Sequence, residues 1–249
     1  AAAGAGLRGP LGLAWRLHRD GMVGAAIGFG LLGLLLGAAM AQLGGQLDTP
    51  TFRELTATLG GGDPGEVFFR FVLYVLSQVI AAVAIATALG LRGEETAGLA
   101  EVVLSGPVGR LRWAAGHLLA TVLGTALALA GLGLGAGIGY GDPLPFLATT
   151  LAYLPACLTL AGLAVAVYGW WPAAAAPVAW TVLGLTLLID LLAEFRLVGS
   201  AVTGLSPFVR TIEPLATGDG LGLALLVLSA IAVALGALGL AGLARRDLG

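Results

Sequence analysis

The sequence predicts an all-α polytopic membrane protein with six transmembrane helices. The chain has 249 residues, of which 58% are hydrophobic and only 10% are charged, whereas soluble domains carry about 25% charged residues. The apolar residues are gathered into six long runs, and a membrane helix needs about 20 such residues at a rise of about 1.5 Å each. A soluble protein of this size would need more surface charge, so composition and run length together place the chain in a membrane.

The six runs form a single transmembrane domain, residues 1–249. The predicted spans cover about 22–43, 67–90, 113–139, 146–170, 176–192 and 221–243. Before them, residues 7–20 carry Trp15 among arginines and leucines, a pattern typical of a helix lying in the headgroup zone. The stretch 193–220 is too apolar for an ordinary loop, and two prolines break it. We expect it to form short re-entrant helices before the last span, because irregular backbone at membrane depth must be shielded by protein.

The arginines predict the orientation of the chain, because cytoplasmic connections carry an excess of positive charge. One side holds eight of the twelve basic residues: Arg8, Arg16, Arg19, Arg92, Arg110, Arg112, Arg245 and Arg246. The other side holds Arg53, Arg70, Arg196 and Arg210. Both termini and the loop from Arg92 to Trp113 are therefore predicted to be cytoplasmic.

Several function classes are excluded or disfavoured by the composition. The chain contains no Lys, so a GxxxxGK[ST] phosphate loop is impossible. Two histidines and the single Cys157 do not supply a metal site, and a net charge of −2 offers no basic face for nucleic acid. We therefore expect no catalytic residue, no metal and no cofactor in this chain.

A polar island between two apolar runs, Arg92 to Trp113, is the main clue to function. Glu94 and Glu95 stand where carboxylates complement the start of a helix, and Glu101 falls at helical spacing from Glu94. Two interpretations follow from the residues alone. The island is either a solvated loop with arginine anchors or a docking helix for a cytoplasmic partner.

The pattern Arg92-x-Glu94-Glu95-x-x-Gly98-x-x-Glu101, followed by Pro107-x-x-Arg110-x-Arg112-Trp113, resembles a known loop. It is similar to the first cytoplasmic loop of type-2 permeases of ATP-binding-cassette exporters, the group that includes polyketide-antibiotic exporters of actinobacteria. Further similar segments are LPACLTLAGLAV at 154–165, Leu205-Ser206-Pro207-Phe208 and the ending Ala244-Arg245-Arg246-Asp247-Leu248.

The resemblance implies a coupling helix at about 93–105 that docks on a separate P-loop ATPase, which binds ATP and Mg²⁺. The ATPase-coupling residues would be Arg92, Glu94, Glu95, Gly98, Glu101 and Arg110. It also implies a second permease half or copy, because members of the group often hold two six-span halves and this chain looks like one. One departure is that Arg210 or Thr211 replaces a histidine often seen after the Ser-Pro-Phe motif.

Polar side chains within spans one and two are candidates for a substrate path, since the resemblance implies that spans one, two and five line it. They are Gln42, Gln46, Tyr74, Ser77, Gln78 and Thr87. Such side chains also hydrogen-bond between helices, so packing is the alternative interpretation. Asp190 and Glu194 are one turn apart at the end of span five, and we expect them to pair with Arg196 at the outer mouth.

The sequence thus predicts a permease subunit, or half, of an ATP-driven exporter in the bacterial cytoplasmic membrane, surrounded by lipid. Its substrate would be an amphipathic drug, antibiotic or lipid-like molecule taken from the cytoplasm or inner leaflet. The alternative is an ATP-independent membrane carrier or a membrane assembly factor. A carrier would couple transport to charges inside the spans, and a neighbouring gene for a P-loop ATPase would favour the exporter.

Overall fold

The computed structural model describes residues 10–43, 64–96, 110–194, 197, 199–217 and 220–245. These residues form ten helices, and six helical stretches are long and apolar enough to cross a membrane. The predicted fold class is therefore confirmed. The helices are α1 (Pro10–Leu43), α2 (Pro64–Ala88), α3 (Gly90–Thr96), α4 (Arg110–Tyr140), α5 (Pro143–Ala152), α6 (Leu154–Trp170), α7 (Pro172–Glu194), α8 (Ser200–Thr203), α9 (Val209–Thr217) and α10 (Leu221–Arg245).

Prolines set several helix starts. Pro64, Pro143 and Pro172 are the first residues of α2, α5 and α7, positions where a missing N–H costs no hydrogen bond. Helices α2 and α7 consequently begin earlier than the predicted spans at 67 and 176, because the sequence prediction followed apolar composition rather than proline. At the N-terminus, the predicted interfacial segment and the first span belong to one continuous helix, α1.

The fourth span consists of two helices, α5 and α6, separated at Tyr153. Pro155 lies in the first turn of α6 and has no N–H to donate, which interrupts the helical ladder at this point. The tight turn that precedes α5 contains Gly141 at a φ of 109°, a left-handed conformation that strongly favours glycine. Together these breaks let α5 fold back against α4.

The helices pack around a centre formed by α2, α4 and α6. Helix α1 packs along α4, and α10 packs along α6, while α7 also contacts α6. Helices α2 and α7 share only a small contact. Much of α1 and of α10 presents apolar side chains to the outside, as expected of helices that face lipid or another membrane subunit.

Glycine seams bring the outer helices close to the centre. A Cβ atom added to Gly135 of α4 would lie 2.0 Å from the carbonyl oxygen of Gly30 in α1, and one added to Gly37 would lie 2.1 Å from that of Ala136. On the other side, a Cβ atom on Gly169 of α6 would lie 2.3 Å from the carbonyl oxygen of Gly239 in α10. Small residues at these positions permit the backbone contact that holds membrane helices together.

The described residues between α7 and α10 pack against the bundle, and their re-entrant character stays a prediction. They include the short helices α8 and α9, and Phe208 between these helices is completely buried against the main core. This segment and the C-terminal end of α7 define one end of the bundle, here called the α9 end. The opposite end, which holds α3 and the start of α4, is called the α3 end.

Candidate functional site

At the α3 end, a side-chain hydrogen bond fixes α3 to the bundle. The hydroxyl of Tyr168, near the end of α6, donates to the carboxylate of Glu95 in α3. Tyr168 is almost completely buried, whereas Glu95 is half-buried. The hydrogen bond from Tyr168 therefore holds the Glu95 carboxylate and fixes the orientation of α3 on the bundle.

A buried cluster holds both ends of the segment that joins α3 to α4. It contains Leu91, Trp113, Ala114, Tyr168, Ala175 and Leu243, which come from α3, α4, α6, α7 and α10. His117 packs its ring edge-on against Trp113 with centroids 5.4 Å apart and is itself buried. The helices on either side of the segment 97–109 thus share one cluster with side chains of α6, α7 and α10.

The predicted coupling residues are only partly within the described chain. Arg92 and Glu95 lie in α3 and are half-buried. Glu94 belongs to the same helix, and Arg110 is the first residue of α4. Gly98 and Glu101 fall outside the described residues. The helix begins at Gly90, three residues before the predicted start, because α2 continues into it after only one intervening residue.

Near the α9 end, two polar side chains meet inside the spans. The amide nitrogen Nε2 of Gln78 in α2 donates to Oδ2 of Asp190 in α7 at 2.5 Å. Asp190 keeps only 8% of its surface exposed, and Gln78 keeps 5%. Among the described residues, the second carboxylate oxygen, Oδ1, is buried with no hydrogen-bond partner. A carboxylate at this depth is costly unless it is compensated.

Hydroxyl groups lie beside the same carboxylate. The neighbouring hydroxyls are those of Tyr74 and Ser206. The Ser206 oxygen accepts the backbone N–H groups of Phe208 and Val209 at 3.2 and 3.3 Å. This is the contact of a helix N-cap, and Pro207 follows as the first residue after the cap. Because the oxygen of Ser206 already accepts two N–H groups, its own proton is left to turn toward Asp190.

Tyr74 connects this polar group to two further aromatic rings. Tyr74 meets Phe208 edge-on with ring centroids 6.3 Å apart, and it meets Tyr153 edge-on at 5.9 Å. The rings of Tyr153 and Phe208 are 6.1 Å apart. The carboxylate of Asp190 therefore lies next to an aromatic group that three separate elements supply. We call the set Asp190, Gln78, Tyr74, Ser206, Tyr153 and Phe208 the Asp190 site.

The structure separates the predicted path residues into two groups. Tyr74 and Gln78 belong to the Asp190 site. Ser77 is fully buried and donates to the carbonyl of Leu73 at 2.8 Å, and Thr87 donates to that of Val83 at 2.9 Å, so each hydroxyl bonds within its own helix. Gln42 is exposed at the end of α1. Gln46 lies outside the described residues.

Asp190, expected to pair with Arg196 at the outer mouth, is buried and bonds to Gln78, and the pairing with Arg196 stays a prediction. Its expected partner Arg196 and the Glu194 side chain lie outside the described residues. Ser206 and Phe208 were noted as part of a motif but not as neighbours of Asp190. The available signal was the spacing of Tyr74 and Gln78, which are one helical turn apart and share a face of α2.

Comparison with known proteins identifies a family of permeases. Residues 7–243 match the family described as "Multidrug efflux system permease Rv1217c, C-terminal domain". The chain is 35% identical over 259 aligned positions to the multidrug efflux system permease protein Rv1217c of Mycobacterium tuberculosis, and the alignment covers 98% of this chain and 47% of the relative. The chain thus spans about half the length of the relative it matches. The resemblance to exporter permeases is confirmed, and the chain belongs to the family of the C-terminal domain of the multidrug efflux system permease Rv1217c.

Proposed function

We propose that this chain is the membrane-spanning permease subunit, or half, of an ATP-driven exporter. A separate P-loop ATPase would bind ATP and Mg²⁺ and dock on residues 92–112. The substrate would be an amphipathic drug, antibiotic or lipid-like molecule that moves out of the cytoplasm or inner leaflet. The α3 end and both termini would face the cytoplasm of a bacterial cell, and a second half or copy would complete the path.

The observation that carries the proposal is the attachment of α3 to the bundle. ATP-driven movement of an external subunit reaches the spans only through an element that is tied to them. The Tyr168–Glu95 hydrogen bond and the buried cluster around Trp113 provide this tie. The permease family and six apolar helical stretches support a transport role.

The charges of the loop suit recognition of a soluble partner. Glu94 and Glu95 occupy adjacent positions of α3, and Glu101 follows about six residues later in the sequence. Charged groups at an interface determine orientation and the choice of partner. Three carboxylates on a cytoplasmic loop would therefore select an ATPase whose docking groove carries complementary positive charge.

Charge reversal tests the proposal. We expect the variants Glu94→Arg and Glu101→Arg to lower ATP hydrolysis by a co-purified P-loop ATPase at least about tenfold, because like charges would then face each other. The control is Asp142→Arg, which makes the same change on an exposed residue at the α9 end. Unchanged hydrolysis and unchanged complex assembly in both loop variants would overturn the coupling role.

One observation favours an ATP-independent carrier as a second candidate. Asp190 is a carboxylate buried within a span, and ionisable groups at such positions often serve ion-coupled transport. A carrier would move substrate in sealed vesicles under an ion gradient without ATP. An exporter would require both ATP and the partner ATPase in the same vesicles.

A further inference from the structure

We propose that the Asp190 site is a recognition site for the cationic group of an amphipathic aromatic ligand, such as a protonated amine or a quaternary cation. This inference deepens the proposed function by naming the charge of the substrate. It depends on the exporter role only for what happens after binding, because recognition itself needs neither ATP nor a partner.

The first argument is the incomplete pairing of the carboxylate. Gln78 satisfies Oδ2, whereas Oδ1 is buried without a hydrogen-bond partner among the described residues. A carboxylate in hydrocarbon is stabilised by a cation far more than by a neutral donor, so the site favours a positively charged ligand.

The second argument is the chemistry of the neighbouring rings. The faces of aromatic rings attract cations, most strongly where water is excluded. Tyr74, whose hydroxyl lies beside the carboxylate, meets Tyr153 and Phe208, and the mutual centroid distances of the three rings are 5.9 to 6.3 Å. A carboxylate combined with aromatic rings recognises an ammonium or phosphonium centre and also packs against its apolar substituents.

The third argument is which polar atoms of the site remain able to accept a hydrogen bond from a ligand. The Ser206 oxygen already accepts two backbone N–H groups, so its remaining function toward Asp190 is to orient the carboxylate. Gln78 donates through Nε2, which leaves its Oε1 oxygen as an additional acceptor. Oδ1 of Asp190 and Oε1 of Gln78 are thus acceptors that the site offers to a cation, beside the hydroxyls of Tyr74 and Ser206.

Access to the site requires α7 to separate from α2. In the described conformation the Asp190 site is closed, since Asp190 and Gln78 are both buried. Helix α2 packs mainly on α4 and α6 and makes only a small contact with α7. Opening at this contact would break the Gln78–Asp190 hydrogen bond and expose the carboxylate, so a cation that replaces Gln78 would select the open state.

Equilibrium binding to the purified full-length chain tests this inference. The probe is tetraphenylphosphonium, a permanent aromatic cation, and the reference is triphenylphosphine oxide, a neutral molecule of similar shape. We expect Asp190→Asn, which keeps an amide able to bond Gln78, to weaken binding of the cation about tenfold or more. Binding of the neutral reference should change less than about twofold. The matched control Asp142→Asn removes an exposed carboxylate at the same end and should change neither.

Two further variants keep the test decisive. Asp190→Glu retains the charge and should retain preference for the cation, and Phe208→Leu should weaken cation binding while leaving the charge in place. The inference is overturned if the wild-type chain shows no preference for the cation, or if Asp190→Asn binds it as tightly as wild type. It is also overturned if the control Asp142→Asn causes an equal loss.

The same assay separates the inference from the proposed function. Asp190-dependent cation binding, together with failure of any P-loop ATPase to dock on residues 92–112, would preserve the inference and remove the exporter role. ATPase docking on residues 92–112 without Asp190-dependent binding would preserve the exporter role and remove the inference.

Discussion

The hydroxyl of Tyr168 and the carboxylate of Glu95 are joined by a hydrogen bond although they lie 73 positions apart in the chain. The bond connects the last turn of α6 to α3, the short helix that opens the loop between spans two and three. It lies beside the buried cluster of Trp113 and Leu91. The loop is therefore attached to the bundle through a polar contact as well as an apolar one.

Removal of the Tyr168 hydroxyl should loosen this attachment. We expect Tyr168→Phe to lower the free energy of unfolding by about 1 kcal/mol, since Glu95 is half-buried and recovers part of its hydration. Partner-stimulated ATP hydrolysis should fall by more than this loss of stability explains. Glu95→Gln retains an acceptor and serves as the milder control. Wild-type stimulation in Tyr168→Phe would argue against a mechanical role for the bond.

The close packing of glycines between α1 and α4 predicts that the stability cost of a Gly→Ala substitution depends strongly on its position in α1. Gly37→Ala should lower the free energy of unfolding by about 1–3 kcal/mol, because the new Cβ atom would lie 2.1 Å from the Ala136 carbonyl oxygen. Gly28→Ala, in the same helix, meets nothing within 4 Å. It should be neutral or stabilising by up to about 1 kcal/mol. Unfolding of both purified variants in detergent, followed by tryptophan fluorescence, compares them; equal stability would refute close packing here.

The hydrogen bonds that the Ser206 oxygen accepts predict that its removal lowers the free energy of unfolding. Ser206→Ala removes the acceptor for two backbone N–H groups and should cost about 1 kcal/mol of the free energy of unfolding. Ser206→Thr keeps the capping hydroxyl and should cost less of that backbone contribution. Hydrogen exchange of the Phe208 and Val209 amides measures the effect directly. Unchanged protection of these amides in Ser206→Ala would show that the cap does not hold the segment.

A double-mutant cycle measures the Gln78–Asp190 contact. Gln78→Leu should be strongly destabilising because it removes the hydrogen bond to Oδ2 while the carboxylate of Asp190 stays buried. The double variant Gln78→Leu/Asp190→Leu should be more stable than Gln78→Leu alone, since the buried carboxylate is gone. The coupling free energy should be about 1–3 kcal/mol. Gln42→Leu paired with Asp190→Leu is the control, because exposed Gln42 should show no coupling.

The six spans could be predicted from the sequence because run length and hydrophobicity determine membrane crossing almost independently of neighbours. Helix ends were less predictable. The helices at Pro64 and Pro172 begin on prolines that lie outside the most apolar windows. The break at Tyr153 likewise depends on Pro155, and the apolar run across it predicted one uninterrupted span.

The Asp190 site could be predicted only in part, because it depends on which helices are neighbours. Tyr74 and Gln78 were predicted as path residues from their polarity within a span. Their convergence with Asp190, Ser206 and Phe208 joins α2, α7 and the segment before α10, and sequence spacing does not contain that adjacency. The contact between Glu95 and Tyr168 was missed for the same reason.

Site-specific cross-linking tests the coupling role of the 92–112 loop most directly. A photoreactive amino acid placed at position 101, in the loop, should capture a P-loop ATPase in membranes of the native host, identified by mass spectrometry. The same amino acid at position 142, at the α9 end, should not capture it. Capture at 101 alone would establish both the docking loop and its cytoplasmic orientation. Absence of an ATPase at 101, or equal capture at both positions, would contradict the account.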